Sequence, residues 1–164
     1  MTKEQINKMC DYAKKQVEAL SLYCWSGQGE RLYDTSLGKL YEMETSKRNV
    51  RRIVDLVCKR LDNNFDLSNA LLFDCSGLIC KAMEFAGIVK KGYDNTANGI
   101  YKNCKIKDIN KVKKGDFVFK INIEGRAIHI GLYNGNNVIE AKGRDYGVCI
   151  GKLSSFDKAG TFNG

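Results

Sequence analysis

The spacing of apolar residues changes character beyond Tyr101, and that change restricts the fold more than any other feature of the chain. Before it, apolar side chains recur every three or four residues. One such run holds Ile6, Met9, Cys10, Ala13, Val17 and Leu20, a second Val50, Ile53, Val54, Val57 and Leu61, and a third Leu78, Ile79, Ala82, Met83 and Ala86. After it come short extended stretches: Phe117–Ile121, Ala127–Tyr133, Val138–Ala141 and Val148–Ile150. Turn residues separate them at Lys114-Gly115-Asp116, Glu124-Gly125-Arg126, Asn134–Asn137 and Gly143–Gly147. Helices followed by an antiparallel meander is the α+β pattern.

The helix ends are marked. Thr2 with Gln5 forms a capping box for a helix running to about Leu20. Ser46 caps the next helix, and Asn63-Asn64 closes it. Asp74 is the N-cap of the third, Gly87 its stop, and Cys75 its first residue. Unpaired N–H groups and the positive end of the helix dipole favour a thiolate at that place, which makes Cys75 the candidate nucleophile. A thiol nucleophile needs a base, and His129 is the only histidine. Alternation puts His129 with Ala127, Gly131 and Tyr133 on one strand face, opposite Ile128, Ile130 and Leu132. Glu140, one hairpin later, is placed to orient the imidazole. Taken singly, His129 also reads as a half-buried structural residue, and Glu140 as an exposed strand carboxylate.

Leu22 to Glu30 is an aromatic cluster running into glycines. It reads as a loop that lines a cleft with Trp25, or as a turn that covers the core with it. The second helix carries Lys47, Arg48, Arg51, Arg52, Lys59 and Arg60 on its polar side. That face has no interleaved aromatics or base-reading amides, so a solvated face or general attraction to polyanions is expected, not nucleic-acid readout. The net charge of +8 fits a polyanionic partner such as an acidic wall polymer. Seven cysteines, an odd number with no Cys-x-x-Cys pair, argue against both a disulfide framework and a zinc site. No metal or cofactor is expected. With 43% hydrophobic residues, 1–164 is expected to form one domain. No apolar run is long enough to span a bilayer and no signal-like segment opens the chain, so synthesis in the cytoplasm is expected. Gly151 to Gly164 carries no readable pattern.

Together, Asp74-Cys75-Ser76-Gly77-Leu78, Lys114–Phe119, His129–Gly135 and Val138–Ala141, preceded by Tyr23-Cys24-Trp25-Ser26-Gly27, resemble the successive motifs of the NlpC/P60 family. These are papain-like cysteine peptidases of bacterial peptidoglycan. The resemblance implies an α+β papain-like fold with the nucleophile-bearing helix on an antiparallel sheet. It implies a Cys75, His129, Glu140 triad, with Tyr23 lining the cleft and Asp74 and Ser76 contacting the stem peptide. The activity implied is an endopeptidase cutting after D-glutamate, with an amidase of the CHAP type as the alternative. Outside that class, the alternative is a basic module that binds nucleic acid or wall polymer. Three departures stand out. The third catalytic position is usually His, Asn or Gln, not Glu. Ser26 replaces a usual glycine. A helical insertion at about 31–70 separates Trp25 from Cys75, an arrangement similar to lysins and tail-associated hydrolases encoded by phages of Gram-positive hosts. Those would be made without a signal peptide and act at the cell wall.

Overall fold

The computed structural model describes residues 1–163, so the expected domain ends one residue outside the described chain. Thr2 opens α1 (Lys3–Glu18) with the capping box, its hydroxyl accepting from the Gln5 N–H while the Gln5 side chain accepts from the Thr2 N–H. The chain reverses at Leu20, in the left-handed region at φ 55°, and enters β1 (Leu22–Tyr23). A tight turn leads to β2 (Gln28–Arg31). Ser36 then caps α2 (Leu37–Met43) and Ser46 caps α3 (Lys47–Asp62). β3 (Leu71–Phe73) pairs parallel to β1 and antiparallel to β2 in a three-stranded sheet ordered β1-β3-β2. Leu40, Met43, Val50 and Ile53 from the two helices bury the apolar side of that sheet at Leu22, Cys24 and Leu72.

Asp74 caps α4 (Cys75–Phe85), and Gly87, at φ 67°, stops it. Thr96 caps α5 (Ala97–Lys102). The remaining strands are β4 (Cys104–Asp108), β5 (Phe117–Ile121), β6 (Ala127–Tyr133), β7 (Val138–Gly143), β8 (Gly147–Gly151) and β9 (Lys158–Phe162). They form one antiparallel sheet ordered β4-β9-β5-β6-β7-β8. The expected α+β fold is therefore observed. Met9 and Ala13 of α1 and Leu78, Ile79 and Met83 of α4 pack on one face of the sheet, against Phe117, Phe119, Ile130, Leu132 and Ile139. The other face holds a smaller cluster of Val118, Val138, Phe156 and Ala159.

Two sequence expectations need correcting. Residues 151–163, without pattern in the sequence, supply β9, which is inserted between β4 and β5. The alternation expected for β6 fails at one residue. Lys120 pairs with His129 and Ile121 with Ala127, so Ile128 is the extra residue of a β-bulge. Ala127 thus joins Ile130 and Leu132 in the core, while Ile128 turns outward, 61% exposed.

Candidate active site

The nucleophile-bearing end of α4 is built by the turn that precedes β2. Cys24 N–H donates to the Phe73 carbonyl, Gly27 N–H to Cys24, and Asp74 N–H to Gly27, which pins the turn against the helix start. A Cβ on Gly27 would lie 2.8 Å from Phe73 N and 2.9 Å from Leu72 backbone atoms, so only glycine fits. Ser26 stands at φ 55°, the left-handed conformation that explains why a glycine is usual there. Asp74 accepts from the Gly77 N–H (2.7 Å) and from the Ser76 hydroxyl (3.0 Å). Leu78 makes the first helical bond back to Asp74, leaving the N–H groups of Cys75 and Ser76 outside the helix ladder.

β6 and β7 pair only at Leu132↔Ile139 and Tyr133↔Val138. Ahead of those pairs the strands part, which leaves a gap between β6 and β7 beside the start of α4. Across the same gap, His129 Nε2 and Glu140 Oε2 are 2.6 Å apart, with Glu140 1% exposed. In the tautomer that carries its hydrogen on Nε2, facing Glu140, the imidazole keeps a free lone pair on Nδ1. Phe156 stacks on the imidazole, its ring centroid 5.9 Å away. The carboxylate itself fits because a Cβ on Gly151 would overlap Glu140 Oε1.

Cys75, His129, Tyr23, Trp25, Asp74 and Ser76 all line one cleft of about 660 Å³; Glu140 lies behind His129. Trp25 is 52% exposed, so it lines the cleft and does not cap the core. The thiol does not behave as the helix start suggests. Burial, and then the charge of Asp74, push it up to about 11, against the pull of the N–H groups of Ile130, Ser76 and Cys75. These surroundings favour the thiol over the thiolate. Tyr23 is buried beneath the guanidinium of Arg144 (5.1 Å to the ring), and burial raises its hydroxyl further.

Sequence reading missed the clamp behind this wall. Glu44, at the end of α2, is fully buried and bonds Arg144 twice, at 2.9 and 2.7 Å. The same carboxylate accepts from the Trp25 N–H at 2.9 Å. Burial would raise Glu44, yet Arg144 and the Trp25 and Thr45 N–H groups outweigh it and hold the carboxyl below the ordinary range. Two arginines of the supposedly solvated α3 face are also engaged. Arg52 bonds Asp145 at 2.8 Å, and Arg60 bonds the carbonyls of Leu20 and Tyr146. Among the described residues, no group of three or more His, Cys, Asp or Glu could hold a metal ion, and no helix is long and apolar enough to cross a membrane.

A helix start and an antiparallel sheet that bring a thiol and an imidazole to one cleft define the papain-like α+β class. Within it, the chain belongs to the NlpC/P60 family, whose sequence profile matches residues 62–156. It is similar in structure to an NLP/P60-family lipoprotein-like protein of Staphylococcus aureus, 19% identical with a TM-score of 0.59. The match covers 99% of this chain and 42% of that protein, so this chain spans less than half of its length. RipD of Mycobacterium tuberculosis, described as a non-catalytic NlpC/p60 domain protein adapted to peptidoglycan binding, is 18% identical over 99% of both chains, with a TM-score of 0.61. RipB of the same organism, a peptidoglycan hydrolase, is 16% identical over 98% of this chain and 67% of its own, with a TM-score of 0.58. No curated protein matches the sequence.

Proposed function

We propose that this protein is a peptidoglycan hydrolase, a cysteine endopeptidase that cuts the stem peptide at the bond between D-glutamate and the diamino acid. The observation that carries the reading is the shared cleft, lined both by a helix-start thiol and by a histidine whose Nε2 lies 2.6 Å from a buried carboxylate.

In this reading His129 Nδ1 takes the Cys75 proton as sulfur attacks the amide carbonyl. The Cys75 N–H, free of the helix ladder, steadies the oxyanion. His129 then returns the proton to the leaving amine, and a thioester remains on Cys75. Water, deprotonated by His129, hydrolyses it. Glu140 holds the imidazole and balances its charge while it is protonated. Tyr23 and Trp25 form the wall against which the peptide lies, with Asp74 and Ser76 beside the nucleophile. The segment at 31–70 is the basis for reading the protein as a phage-encoded lysin acting on a Gram-positive wall.

The test is digestion of purified Gram-positive peptidoglycan by this protein and by its Cys75→Ala variant, with mass spectrometry of the released fragments. Fragments with new D-glutamate termini, from the parent alone, are the expected result. New lactyl termini would make it an amidase. Wall binding with no fragments from either protein would replace hydrolysis with a binding role of the kind described for RipD.

A further inference from the structure

Besides α3, the positive charge of this chain is concentrated in one further segment. Between Lys102 and Lys120 lie seven lysines and two aspartates, in a chain of net charge +8. β4, the following turn at 109–111 and β9 shape this segment into a groove of about 680 Å³. It is lined chiefly by Lys105, Lys107, Lys111, Lys113, Asn110 and Thr161, and no acidic or aromatic side chain lines it. The groove lies at the β4 edge of the sheet and shares no residue with the cleft on β6.

Its floor is fixed. Asp116, 3% exposed, accepts from Lys107 Nζ (2.8 Å), the Lys113 N–H (2.6 Å) and the Thr161 hydroxyl (2.6 Å). Lys107 is thereby neutralised and held. Lys105, Lys111 and Lys113 have no carboxylate within ion-pair distance among the described residues. Three uncompensated ammonium groups around the side-chain amides of Asn110 and Asn163 suit successive phosphate oxygens. Single-stranded nucleic acid would need aromatic platforms for its bases, and the groove has none. We propose that this groove binds a phosphodiester polymer without bases, of the poly(glycerol phosphate) kind, and holds the protein against it while the cleft remains open.

The test measures binding of poly(glycerol phosphate) across a range of salt concentrations. It compares the parent with the variant Lys105→Gln, Lys111→Gln, Lys113→Gln. Lys107 is left in place so that Asp116 keeps its partner, and thermal unfolding confirms that the variant folds. Binding should weaken at least tenfold at low salt, and the slope of log affinity against log salt should fall by about 2. A control variant of exposed cations on α3, Lys47→Gln, Arg48→Gln, Arg51→Gln, should leave both nearly unchanged. Equal loss in the control, or an unchanged slope in the groove variant, overturns the proposal. So does equally tight binding of oligo(dT) or of poly-L-glutamate at the groove. Hydrolysis of a soluble muropeptide should be the same in parent and groove variant; a selective loss there would assign the groove to the substrate path and also overturn it. If no protein hydrolyses the muropeptide, the proposed hydrolase activity fails, while the binding comparison still decides the groove.

Discussion

Glu140 keeps its place because Gly151 has no side chain, so a residue outside the cleft governs how His129 is held. Gly151→Ala would displace the carboxylate from His129. We expect kcat/KM to fall about a thousandfold in Gly151→Ala and in Glu140→Ala alike, because an imidazole without its orienting partner loses both tautomer and alignment. Glu140→Gln retains an acceptor for the Nε2 proton, and steady-state assays should show a loss within about a hundredfold. Cys75 and His129, which the structure sets on one cleft, could be singled out in the sequence because each is a reactive type with a local mark: a cap before the thiol, small neighbours beside the sole histidine. Glu44, Arg144 and Phe156 carried no such mark. Glu44 and Arg144 stand 100 residues apart, and their role exists only once the chain has folded.

At the level of elements, α2 and α3 serve the cleft as well as their own small core. The carboxylate that ends α2 fixes Trp25 from behind and holds the guanidinium stacked on Tyr23. Glu44→Ala strands Arg144 in a largely buried site and should cost about 3 to 5 kcal/mol in chemical denaturation. The double variant with Arg144→Ala should cost less than the sum of the two single changes. The carboxyl of Glu44 is held below its ordinary value of 4.5. Its contribution to stability is therefore complete above that pH and is lost as pH falls through the lower, folded value. Thermal unfolding between about pH 5 and 2 should show a steeper loss in the parent than in Glu44→Gln, which has no such proton to gain. The capped helices and the long strands were legible because periodicity and turn chemistry are local signals. β1 and β3, of two and three residues, are too short for alternation to register, and their pairing is set by the helices packed on them. The bulge at Ile128 hid for a related reason: an unpaired residue is a property of two strands, not of one.

For the molecule as a whole, the family match begins at residue 62, yet the wall of the cleft depends on residues before it. Replacing 37–62 with a short flexible linker should bare Leu22, Cys24 and Leu72 and leave Arg144 unpaired. We expect the shortened protein to aggregate or to lose its cooperative melting transition by calorimetry. The parting of β6 from β7 has a different consequence. A continuous ladder would have tied the Ile130 amide to β7; here that amide is free of β7 and lies where it favours a thiolate on Cys75. It is a reporter built into the sheet. When iodoacetamide alkylates Cys75, the hydrogen–deuterium exchange of Ile130 should change while that of Leu132, in the paired part of the strand, stays slow, so the state of the thiol can be followed with no substrate in hand.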